Sequence, residues 1–147
     1  MKITEIKTRN SQLIEQLLNV WEDSVRETHL FLSDVEIKHI KKYVPQALLK
    51  IKHLIVAKNE IDCPVAFMGI ENQKLEMLFI SPDERNKGLG KALIQKGIND
   101  YFIKEVTVNE QNLQAIGFYK HLGFKVYKRT DHDEQGAPYP LLYMKND

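Results

Sequence analysis

Leu78-Phe79-Ile80-Ser81-Pro82-Asp83-Glu84-Arg85-Asn86-Lys87-Gly88-Leu89-Gly90-Lys91-Ala92-Leu93-Ile94 runs from an apolar strand through a polar turn into an amphipathic helix. Two glycines at the mouth of a helix let the backbone approach a ligand closely, and the unpaired N–H groups of the first turn favour negative charge. Arg85, Lys87 and Lys91 add positive charge around them. Two nucleotide templates fail on spacing. A Walker loop needs Ser or Thr after GxxxxGK, and a dinucleotide loop needs a third small residue where Leu93 stands.

Working outward, the 147 residues are one domain's length, so residues 1–147 are expected to fold as a single unit. Lys and Arg exceed Asp and Glu by only one, 21 against 20, which lacks the basic excess of a non-specific nucleic-acid binder. Any anion site must therefore be local. The single cysteine, Cys63, cannot form an internal disulfide, and the N-terminus lacks a basic-then-apolar secretory pattern. The apolar runs are too short to span a bilayer. These features point to the cytoplasm, with neither nucleic acid nor membrane as a partner.

Residues Lys2 to Thr8 read as a first strand, and Asn10 or Ser11 caps a helix whose Leu13, Leu17, Val20 and Trp21 share a stripe. Ser33 with Glu36 matches a capping box, and Pro45 predicts a kink or restart before Ala47. Leu54 to Ala57, Val65 to Ile70 and Leu75 to Ile80 are strand-like runs with short connections, which implies an antiparallel meander. The glycine turn then opens a helix to about Phe102. Strand Glu105 to Val108, a helix from Asn112 to Gly123, strand Phe124 to Tyr127 and strand Tyr139 to Met144 follow. The class is α/β (α+β), with strands outnumbering helices.

Arg85-Asn86-Lys87-Gly88-Leu89-Gly90 matches the R/Q-x-x-G-x-G/A signature of the GNAT superfamily, the Gcn5-related N-acetyltransferases. Val108-Asn109-Glu110-Gln111-Asn112 through Ala115, Phe118-Tyr119 and Gly123-Phe124 resembles a second segment of that family. Trp21 with Thr28-His29-Leu30-Phe31 is similar to a segment of small bacterial members. The resemblance implies a mixed, largely antiparallel sheet of about six to seven strands with about four flanking helices, and a V-shaped splay between strands four and five. It also implies transfer of acetyl from acetyl-CoA to a primary amine, of a small molecule or a protein, by direct attack in a ternary complex, in a monomer or homodimer.

The resemblance further implies that Arg85, Asn86, Lys87, Gly88, Leu89, Gly90 and Lys91 hold the CoA pyrophosphate. Backbone groups of Leu78, Phe79 and Ile80 would meet pantetheine and the thioester, with Asn112 touching the cofactor or a structural water. Tyr119 occupies the position of the general acid, although a tyrosine on an apolar helix face also reads as core. Glu76 is the candidate base, because alternation with Leu78 and Ile80 puts it on one sheet face where burial raises a carboxyl pKa. His29 is an alternative base beside the expected substrate cleft, and His29 and Phe31 are the expected substrate contacts. Five histidines and one cysteine are scattered without the close pairs of a zinc site, so no metal is expected. The rival reading from another class is a CoA-binding regulatory module without turnover.

Overall fold

The apolar runs between Leu54 and Ile80 are interrupted only by short polar segments, a pattern that folds back on itself. The structure is a computed structural model describing residues 1–146. In it these runs form β2 (His53–Lys58), β3 (Pro64–Glu71) and β4 (Lys74–Ile80), paired antiparallel as the spacing predicts. Asn72 and Gln73, the two residues of the β3–β4 turn, both have positive φ, 53° and 62°, as tight hairpins require. β1 (Lys2–Glu5) joins the edge of β2, and β5 (Glu105–Asn109), β6 (Lys125–Thr130) and β7 (Leu141–Lys145) complete the sheet. Its order is β1-β2-β3-β4-β5-β7-β6, and β4–β5 is the parallel pair.

Strand side chains alternate between two cores. Leu54, Val56 and Phe67 pack with α1 (Ser11–Thr28), α2 (Asp34–Lys41) and α3 (Val44–Lys50). Ile55, Ala57 and Met68 pack with α4 (Leu89–Tyr101) and α5 (Leu113–His121) on the other face. Leu54 and Ile55, fully buried on opposite faces, each contribute about 1.5–3 kcal/mol of transfer free energy. A sheet covered on both sides needs strands that are apolar throughout, which is why β2 and β3 show no polar alternation.

Local signals set the helix ends. The Asn10 side chain accepts from the Leu13 N–H at the start of α1, and Ser33 and Glu36 form both halves of a capping box on α2. Against the about four flanking helices that the resemblance implies, the described residues form five α-helices, and Pro45 marks the restart that its position predicts. It sits in the first turn of α3, where its missing N–H leaves no hydrogen bond unmade.

Two irregularities of β4 position the site. The β3 register steps from Gly69↔Met77 to Ile70↔Leu75, so Glu76 is an extra, unpaired residue in a bulge. Toward β5, β4 is registered only through Lys74↔Glu105 and Leu75↔Val106, and beyond that the strands part. This is the V-shaped splay that the resemblance implies.

Candidate active site

After Ile80, the Ser81 N–H bonds to the Val65 carbonyl at 2.8 Å, and Pro82–Glu84 makes one 3-10 turn. The chain then reaches α4 through two left-handed residues, Asn86 (φ 63°) and Gly88 (φ 82°). Glycine adopts that conformation without steric penalty, and asparagine tolerates it better than most residues. Gly88 is the N-cap of α4, yet no side chain caps this end and no acidic residue occupies the first turn. The first helical N–H groups therefore face outward with the positive end of the helix dipole.

Gly90 is held by close packing. A Cβ there would lie 3.1 Å from Ile80 Cδ1 and 3.4 Å from Phe118 Cζ, so the turn, the end of β4 and α5 meet at this residue. The Arg85 guanidinium donates to Gln114 Oε1, spanning from the turn to α5. Asn112 caps α5 by accepting from the Ala115 N–H at 3.2 Å.

The splay leaves one edge of β4 without a strand partner. Because Ser81 points its N–H at β3, antiparallel alternation turns the backbone groups of Phe79 to β3 as well, and those of Leu78 and Ile80 toward the gap. An extended amide-bearing ligand can pair with them as an added strand. Side chains follow the same parity. Leu78 and Ile80 pack on the α4–α5 core, whereas Phe79 lies against Phe67 and Trp21, with ring centroids 5.5 and 6.5 Å away.

An open cavity of about 600 Å³ runs along this edge. Its lining unites Leu78, Phe79 and Ile80 with Arg85, Asn86, Gly88, Gly90 and Lys91 of the turn, with Asn112 and Tyr119 of α5, and with His29 at the end of α1. Tyr119 is both core and lining residue. It packs edge-on against Phe118 and Phe124, at 5.2 and 5.8 Å, and burial pushes its phenol well above the ordinary tyrosine range. Burial likewise lowers the pKa of His29.

Four sequence-predicted residues lie off this lining. Leu89 is buried in the α4–α5 core. Lys87 is 62% exposed and 3.9 Å from Glu84. Phe31 stacks between His29 and Tyr139, at 5.4 and 5.8 Å, and so backs the site. Glu76 is the extra residue of the bulge and is outside the cavity lining, so the two-residue alternation with Leu78 and Ile80 does not carry through it. Burial raises its carboxyl pKa, Lys74 lowers it, and Glu134 and Glu71 raise it further, so its company is a charged rim outside the cavity.

The sequence reading missed Ser24 and Thr28, which bring α1 into the lining. One signal was available: Ser24 is the buried polar residue on an otherwise apolar stripe, beside Trp21 and Val25. Phe118 and Gln114 were also missed, although Phe118 belongs to the second motif and Gln114 lies within it.

A family model described as "Acetyltransferase (GNAT) domain" matches residues 22–139. The chain belongs to the GNAT acetyltransferases, and is an acyltransferase. Among GNAT relatives, the peptidyl-lysine N-acetyltransferase YjaB of Salmonella typhimurium is 41% identical over 130 residues, covering 88% of this chain and 89% of that protein. The solution structure of apo YjaB from Escherichia coli superposes with a TM-score of 0.87 at 39% identity, over 99% of this chain and 98% of that one. The PaiA N-acetyltransferase of Thermoplasma acidophilum, solved in complex with coenzyme A, shares the fold, with a TM-score of 0.70 at 24% identity over 99% of both chains.

Proposed function

We propose that this GNAT acetyltransferase moves the acetyl group of acetyl-CoA to a primary amine, the side chain of a peptidyl lysine, by direct attack in a ternary complex. One observation carries the reading. A single cavity joins an uncapped helix N-terminus with Arg85 and Lys91, an unpaired strand edge, and a buried tyrosine. Each suits one part of the reaction. The turn from Arg85 to Lys91 takes the pyrophosphate on backbone N–H groups, and the free groups of Leu78 and Ile80 pair with the pantetheine amides. An N–H on that edge polarises the thioester carbonyl and stabilises the oxyanion formed on attack. Tyr119, kept protonated by burial, supplies a proton to the departing thiolate. The peptidyl-lysine acceptor is supported by the 41% identical relative that bears that name.

The test is CoA release from acetyl-CoA across free amines, blocked lysine peptides and intact proteins. Turnover confined to lysine peptides or proteins supports the reading. Preference for a small free amine replaces the acceptor. Tight acetyl-CoA binding with no turnover on any amine would leave only a CoA-binding regulatory module.

A further inference from the structure

Acetyl transfer needs somewhere for the proton of the attacking amine to go, and the end of α1 carries a histidine whose ring orientation is fixed by its neighbours. The Thr28 hydroxyl lies 2.8 Å from the Ser24 carbonyl oxygen and 2.8 Å from His29 Nδ1. A carbonyl only accepts, and a hydroxyl has one hydrogen, so Thr28 donates to Ser24. Its oxygen must then accept from His29, which places a hydrogen on Nδ1 and leaves the lone pair on Nε2. Ser24, Thr28 and His29 all line the cavity that holds the β4 edge and Tyr119. Phe31 covers one side of the imidazole, and Tyr139 backs Phe31.

We propose that His29 is the general base of the reaction, accepting at Nε2 the proton shed by the acceptor amine, and that Thr28 is the positioning residue that fixes its tautomer. The inference rests on the acetyl-transfer reading above. The neutral amine attacks the thioester carbon, forming the C–N bond and an oxyanion, and its proton passes to His29. Collapse of the oxyanion breaks the C–S bond, and the thiolate takes a proton from Tyr119. The excess proton on His29 then returns through solvent to the tyrosinate, which leaves amide, free CoA and both side chains as they began.

Burial is the cause of the downward shift at His29, so the ring is neutral above its ordinary value of 6.5. The titratable or charged groups sharing the cavity are Glu84, Arg85 and Lys91 of the turn and Tyr119 and His121 of α5. Across the ring the neighbour is Phe31, with Tyr139 behind it.

The test has two arms. Long-range nitrogen–carbon NMR of the unaltered protein reads the tautomer directly. The Nδ1–H form at pH 7 is expected, with a mixture in Thr28→Val, and a dominant Nε2–H form would overturn the proposal. In the second arm, kcat/KM is followed against pH with acetyl-CoA and a blocked lysine peptide. The neutral fraction of a lysine with pKa about 10.4 gives log kcat/KM unit slope, and protonation of His29 adds a second unit below its own pKa.

His29→Gln should remove that second unit and lower kcat about 100-fold, at the lower end of general-base effects, with acetyl-CoA affinity unchanged by calorimetry. Thr28→Val should lower kcat and Thr28→Ser should restore most of it. Unchanged turnover in His29→Gln would overturn the base assignment alone. No turnover in the unaltered protein would overturn the transfer reading and the base role with it.

Discussion

On one side of the cavity, Arg85 to Lys91 form an unbroken piece of chain whose useful groups are backbone N–H donors. The rest of the lining is side chains from separate elements: Thr28 and His29 end α1 and Tyr119 comes from α5, while Phe31 and Tyr139, brought together from distant loops, back His29 from outside the lining. The first wall is local and depends on conformation, through left-handed Asn86 and Gly88 and a Gly90 packed closely against Ile80 and Phe118. The second is assembled by packing and depends on side-chain identity. A wall of backbone amides suits a fixed donor. A wall of side chains leaves the acceptor open to change.

On the donor side the contrast is broken at Gly90. Gly90→Leu forces atoms into the contact with Ile80 and Phe118, an overpacking of about 1–3 kcal/mol, and a turn that relieves it by moving its N–H groups off the ligand loses acetyl-CoA affinity by about 5- to 150-fold. Isothermal titration, with a thermal melt to verify folding, checks this, and unchanged affinity would remove the pyrophosphate assignment. Tyr119→Phe should do the reverse, with kcat falling about 100-fold while acetyl-CoA affinity holds. Since burial raises the Tyr119 pKa, the phenol stays protonated as pH climbs through the ordinary value of 10.0, so kcat should show no alkaline loss below that pH. Equal loss of binding and turnover would return Tyr119 to a packing role.

Smaller effects sharpen the boundary of each wall. Glu76→Gln, on the charged rim, should change kcat/KM by no more than about twofold, the scale of an exposed substitution. A 100-fold drop would make the rim part of the chemistry. Lys87→Ala should weaken acetyl-CoA binding by less than about threefold, because Lys87 is outside the lining and its side chain is 62% exposed, where a charge is largely screened. Arg85→Ala, which removes a lining cation, should cost more.

Much of the fold was legible because its signals are local. Ser33 and Glu36 cap α2 as their spacing implies, and Asn10 caps α1 through the Leu13 N–H. The glycine turn, the meander and the second motif also lie within short stretches of chain. The bulge at Glu76 was not legible because a two-residue period assumes an unbroken ladder, and a bulge is visible only once the partner strand is paired. Thr28 was overlooked because its role depends on accepting from a ring that a turn of backbone places beside it.

By itself, the sequence determined the family, the α/β class and the turn that faces the anion, because caps, strand periodicity and the glycine signature act between residues close along the chain. Tertiary structure alone decided which β4 groups are unpaired, that Glu76 falls in a bulge outside the lining, and that Tyr119 is desolvated in the same cavity as His29. Each of these depends on strand pairing and burial by partners remote in sequence, and no local pattern encodes which strand edge stays open or how much water is excluded from a side chain.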